Sequence, residues 1–156
     1  MTVSQLSLAL VLLSGGGMSE AWSDRLAYAA MEAEAATGED AITLLAVSWV
    51  ESRWSVECHC SGAGACGLMG ILVGRYGNPS KRQVCEVTPA STAAQASFMR
   101  GAEILGYFRR HCEGEPLCCY NQGWTDDRDC HYARTVRRKE REILDAVGGH
   151  TRRTRR

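Results

Sequence analysis

Residues 41–50, AITLLAVSWV, are apolar around the whole circumference of a helix, and a helix of that kind is stable only at the centre of a fold. At about 100° per residue, Ile42, Leu45, Ala46 and Trp49 fall on one face, and Leu44, Val47 and Ser48 on the opposite one. Asp40 is placed to cap this helix, which is expected to run to about Arg53. The segment ends in Glu51-Ser52, so an ionisable carboxyl sits at the C-terminal end of a core helix. Burial disfavours the charged form of a carboxylate, and the partial negative charge of a helix C-terminus does the same. Both effects keep the acid protonated nearer neutral pH, the state required to give a proton to a leaving oxygen. On the helix plot alone, a solvent-facing Glu51 paired with Arg53 is an equally good reading.

The other elements are read around that helix. Ser19 to about Thr37 is rich in Ala, Met and Glu and predicts a helix stopped by Gly38. Residues 54–88 carry Gly, Cys, Pro and Ser throughout and predict a loop-rich region, with a short helical turn around Leu68–Val73 and weak strand candidates near Gly70–Tyr76. Thr88-Pro89 is a helix start signal. Ala94, Phe98, Ala102, Leu105 and Phe108 then recur at helical spacing to about His111. Gly101 and Gly106 inside this helix cost on the order of 1 kcal/mol each relative to alanine, which suggests close approach of a neighbouring element. A charged final helix is expected from about Tyr132 to Val147, ending at Gly148-Gly149. The fold class is therefore mostly α, a single domain over residues 19–147 with a cysteine-rich loop region. Residues 1–18 form a signal peptide or an N-terminal hydrophobic segment, and residues 148–156 a basic disordered tail.

All eight cysteines lie between Cys58 and Cys130, an even and dense set that predicts disulfides and an oxidising compartment. The neighbours Cys118 and Cys119 are expected to bond to different partners. Zinc is the rival reading, since His59 and His111 stand beside cysteines, but C-H-C and C-C match zinc-ligand spacing poorly. LSLALVLL (Leu6–Leu13) has signal-peptide length without a basic start or a tidy cleavage site, and the alternative is a leading helix packed on the domain. The formal net charge is zero, so the arginine-rich C-terminal end does not make the whole chain a nucleic-acid binder.

Two glycine-marked segments follow the acid: GACGLMG (Gly64–Gly70) and CYNQG (Cys119–Gly123). The first lacks the pattern of a phosphate-binding loop. The second offers a tyrosine hydroxyl to orient a carboxyl, and amides that suit sugar acetamido groups. In order and spacing, Glu51-Ser52, GACGLMG, the Gly101–Leu105 stretch of RGAEILGYF and CYNQG resemble the soluble lytic transglycosylases, which have a lysozyme-like fold related to goose-type lysozyme and cleave bacterial peptidoglycan. The resemblance covers about Ser19 to Val147. It implies that Glu51 is the sole acid/base, held by Tyr120, with Ser52, Met69, Gly70, Asn121 and Tyr132 in the substrate groove. It implies cleavage between N-acetylmuramic acid and N-acetylglucosamine with a 1,6-anhydro product. A muramidase of the same fold using water is the alternative, separable by its product; paired-carboxylate hydrolysis would require a second Asp or Glu, and nothing in the sequence places Glu57, Glu86, Asp126 or Asp127 opposite Glu51. A cell-wall glycan binder without activity is a further alternative.

Two departures stand out: Gly70 replaces the family's glutamine, and Cys66 and Cys119 occupy motif positions. Trp54 and Trp124 are either sugar platforms or packing residues. No cofactor, no metal and no nucleic acid is expected. The expected partners are peptidoglycan strands, with a secretion apparatus or a phage particle as settings. An exported monomer is expected, periplasmic, extracellular or wall-associated.

Overall fold

A computed structural model describes the backbone of residues 1–74, 77–85 and 92–153. Among the described residues the chain forms seven helices and one two-stranded sheet. The first, α1 (Val3–Leu13), begins in a capping box: Thr2 accepts from the Gln5 amide, and the Gln5 side chain accepts from the Thr2 amide. Leu6 and Leu10 are fully buried against α2 and α7, so the leading apolar run is a packed helix of the domain in this structure.

The next two helices follow from local chemistry. α2 (Glu20–Thr37) is capped by Ser19 and closed by Gly38 in the left-handed conformation (φ 80°). α3 (Ala41–Ser52) is capped by Asp40, whose carboxylate accepts from the Thr43 amide at 2.8 Å. Leu44, Leu45, Ala46 and Val47 have no exposed surface, as expected for a helix apolar all round. Packed between α2 and α7, it shares one core with Leu26, Phe98, Leu105 and Ile143.

α3 stops abruptly because Arg53 and Trp54 both adopt left-handed backbone, with φ of 55° and 57°. Such a conformation costs a residue with a side chain roughly 1–2 kcal/mol, so it needs compensation. Arg53 donates its amide to the Trp49 carbonyl and lays its guanidinium 3.6 Å from the centre of the Trp49 ring. Trp54 is buried, donates its indole N–H to the Leu45 carbonyl at 2.9 Å, and accepts at its own carbonyl from the Trp22 indole at 2.8 Å. Of its two readings, Trp54 is therefore a packing residue.

The GACGLMG segment is a hairpin. β1 (Ala65–Cys66) pairs antiparallel with β2 (Ile71–Leu72), and Gly67 and Gly70 turn the chain at φ 75° and 61°. The helical turn expected around Leu68–Val73 is thus a β-turn and a short strand, while Arg75 and Tyr76 lie outside the described residues. α4 (Lys81–Cys85) follows. The Thr88-Pro89 start signal also lies outside the described residues, and α5 begins at Ala93 and runs to His111. Its two glycines have distinct uses. A Cβ at Gly101 would lie 2.6 Å from Met69 Cε, and one at Gly106 would lie 3.3 Å from the Glu39 carboxylate. That carboxylate is buried and receives a two-pronged grip from Arg109, at 2.8 to 3.2 Å.

α6 (Pro116–Gln122) carries CYNQG, and α7 (His131–Arg153) crosses α3. The last helix runs past Gly148-Gly149, where the sequence predicts an end and a disordered tail. Glycine keeps its amide donor, so it weakens a helix without having to stop it. Residues 154–156 lie outside the described residues.

All eight cysteines are paired: Cys58–Cys85, Cys60–Cys66, Cys112–Cys119 and Cys118–Cys130. Neighbours Cys118 and Cys119 take different partners, as expected, and the thiolates that zinc would require are consumed in bridges. Bridges on this scale fit an oxidising environment. No helix among the described residues is long and apolar enough to cross a membrane.

Candidate active site

Glu51 stands where three elements converge. α3 carries it in its last turn, half-buried, and α7 brings Tyr132 to it. The Tyr132 hydroxyl donates to Glu51 Oε1 at 2.6 Å. On the other side the hairpin presses Gly70 against the second oxygen: a Cβ at Gly70 would lie 2.4 Å from Oε2 and 2.8 Å from Cδ. Gly70 is therefore the only residue type that this approach accommodates without displacement. Among the described residues Glu51 has no ion pair, and Arg53, its partner in the surface reading, is spent on Trp49.

The electrostatics follow from that enclosure. Burial raises the Glu51 pKa above the ordinary carboxylate value, and the hydrogen bond from Tyr132 opposes the rise in part. Burial and then the charge of Glu51 push both Tyr120 and Tyr132 above the ordinary phenol range, so both remain donors. The resulting group is a carboxyl biased toward its protonated form, held in one orientation by a neutral hydroxyl.

On the far side of Gly70 lies a cleft of about 860 Å³, whose lining includes Gly70 but neither Glu51 nor Tyr132. Gly70, Ile71 and Leu72 form one wall, the exposed stripe of α5 (Arg100, Glu103, Ile104, Tyr107) the floor, and Tyr120 to Trp124 the other wall. Gly123, at φ 81° and ψ −160°, adopts a backbone conformation open to glycine alone and turns the chain so that Trp124 meets the cleft. Trp124 is 63% exposed, with its ring edge-on to Tyr107 and Phe108 at 5.8 and 5.6 Å. Trp124 is thus an exposed aromatic on the cleft rim, packed edge-on against α5.

The sequence-predicted site residues divide between this cleft and its supports. Asn121, Gly70 and Tyr120 line it. Tyr120 does not hold the acid: its hydroxyl donates to the Met69 carbonyl at 2.6 Å and so clamps the hairpin, while Tyr132 takes the role expected of it. The Met69 side chain is fully buried against Gly101, not in the groove, and its amide donates to the Ser97 hydroxyl oxygen at 3.1 Å. Ser52 is likewise a brace. Its hydroxyl donates to the Ser48 carbonyl at 2.8 Å and lies 3.3 Å from that of Leu68.

Sequence reasoning missed the polar floor of the cleft. Arg100, Glu103, Tyr107 and Arg110 are the solvent side of α5, and their spacing of three and four residues was a usable signal. Of the carboxylates weighed as second catalytic groups, Glu57, Asp126 and Asp127 are absent from the cleft lining, and Glu86 lies outside the described residues. Glu103 does line it, but binds Arg100 at 2.7 Å. Comparison with protein-family models, curated proteins and solved structures found no match.

Proposed function

We propose that this protein is an exported peptidoglycan lytic transglycosylase of lysozyme-like fold, with Glu51 as its sole acid/base. The observation that carries the reading is a half-buried carboxyl with no ion pair among the described residues, held by Tyr132, biased toward protonation, and packed against Gly70 of the cleft wall. In this mechanism Glu51 gives its proton to the oxygen linking N-acetylmuramic acid to N-acetylglucosamine, and the bond from that oxygen to the muramyl anomeric carbon breaks. The substrate's own acetamido oxygen stabilises the cation that develops. Glu51, now a carboxylate, takes the proton from the C6 hydroxyl as that oxygen closes on the anomeric carbon. Tyr132 keeps the carboxyl in line through both transfers, and Tyr120 keeps the hairpin wall fixed.

Digestion of purified peptidoglycan followed by mass analysis tests the reaction. The expected products end in 1,6-anhydro-muramyl groups. Reducing ends would favour hydrolysis, for which Glu103 is the further carboxylate in the described cleft lining. Binding of the strands with no products would leave a glycan-binding protein.

Tyr132→Phe tests the orientation of the acid. The hydrogen bond favours ionised Glu51, so its loss raises the pKa further. The protonated acid is the working form, and the rate falls as pH rises through its pKa. The alkaline limb of the kcat/KM profile should therefore lie at higher pH in the variant. At the optimum the rate should fall about tenfold, the equivalent of one net hydrogen bond. An unmoved limb would reduce Tyr132 to a packing role.

A further inference from the structure

The cleft ends in a cation that nothing in the proposed reaction uses. Arg110, near the end of α5, is exposed and lines the cleft with Trp124 and Tyr107. Its neighbours are otherwise engaged. Arg109 takes both oxygens of Glu39, and Arg100 binds Asn78 at 2.6 Å and Glu103 at 2.7 Å. The Arg110 Nη1 atom lies over Gly106, on the side of Glu39, but the cation that pairs with that carboxylate is Arg109. Among the described residues Arg110 is thus a guanidinium without an ion-pair partner, lining the same cleft as the exposed Trp124 ring.

These two features call for different parts of one ligand. An aromatic face such as Trp124 suits the apolar side of a sugar ring, and a guanidinium fork suits a carboxylate. A neutral oligosaccharide would use only the first. We infer that this end of the cleft recognises a glycan bearing a carboxylate, with Trp124 stacking on a sugar ring and Arg110 binding the carboxylate. The inference rests on the proposed peptidoglycan reading. In that polymer the carboxylate has two sources: the lactyl group of muramic acid where no peptide is attached, and the stem peptide where one is.

Binding measured by calorimetry in the Glu51→Gln background, where strands stay intact, separates these cases. The ligands are a neutral N-acetylglucosamine oligomer, peptide-free strands and peptide-bearing strands, each with and without Arg110→Ala. The expected result is an unchanged Kd for the neutral oligomer and a loss of about tenfold for a carboxylate-bearing strand, the scale of one charge-assisted hydrogen bond. Loss confined to peptide-free strands assigns the lactyl group, loss confined to peptide-bearing strands assigns the stem peptide, and loss on both shows that either is accepted. Equal loss on the neutral oligomer, or no loss on any ligand, would overturn the inference while leaving the peptidoglycan reading intact. Failure of the Glu51→Gln protein to bind any of the three would remove both. Because Arg110 is exposed and without an ion-pair partner among the described residues, the melting temperature should not change, which keeps a folding defect from imitating the result.

Discussion

Glu51→Gln is expected to lower the rate of glycan cleavage by about 10³-fold, within the range of general acid–base catalysis. The substitution keeps the shape of the side chain, and the amide oxygen can still accept from Tyr132. What it removes is the proton, and with it both halves of the proposed reaction. A second readout makes the test sharper. The folded protein holds the Glu51 proton more tightly than the unfolded chain does, because burial raises the folded-state pKa. Stability is therefore lost as pH rises from the ordinary carboxylate value through that raised value. Glutamine does not titrate. At neutral pH the variant should melt above the parent, and the difference should close as pH falls into the ordinary carboxylate range. An inactive variant of unchanged stability at every pH would contradict the buried acid with a raised pKa described above. An active one would remove Glu51 from the mechanism.

Gly70→Gln, which restores the residue found in the transglycosylases, is expected to lower activity by about 10²-fold or more. The resemblance alone suggests the opposite. Geometry decides the matter, because a Cβ at this position would lie 2.4 Å from the Glu51 carboxylate. The backbone also stands at φ 61°, a conformation costly for any residue with a side chain. Either the hairpin or the acid must move, and displacement of a catalytic group by about 1 Å can cost that factor. Gly70→Ala separates the causes: it should lose nearly as much, since the clash begins at Cβ. Rate assays and thermal melts of both variants check this. A Gly70→Gln protein as active as the parent would show that the close approach to Glu51 is not required.

What could be read from the sequence was whatever depends on neighbours along the chain. Ser19, Gly38 and Asp40 act through hydrogen bonds and backbone angles within one turn, so α2 and α3 appear where they are expected. Glu51 was legible for a related reason, since an apolar run ending in a carboxyl is anomalous wherever it occurs. The pairing of Tyr132 with Glu51 was not. It depends on α7 crossing α3, a contact between residues 81 positions apart. Tyr120 and Tyr132 are chemically identical, and only packing decides which reaches the acid. Met69 shows a second limit. A motif position can matter through its carbonyl and amide, which every residue has, while its side chain faces the core. The cysteine pairing was equally closed, because separation along the chain does not set distance in space.

The bridges have a distribution that bears on how the site is assembled. Cys58–Cys85 and Cys60–Cys66 secure the hairpin and its approaches, and Cys112–Cys119 and Cys118–Cys130 secure the segment bearing Tyr120 and Trp124. None joins α1, α2 or α3, whose buried residues share one core with α5 and α7. Glu51 is thus carried on a helix that no bridge reaches, whereas the hairpin behind it and the segment that leads into Tyr132 are each tied by two.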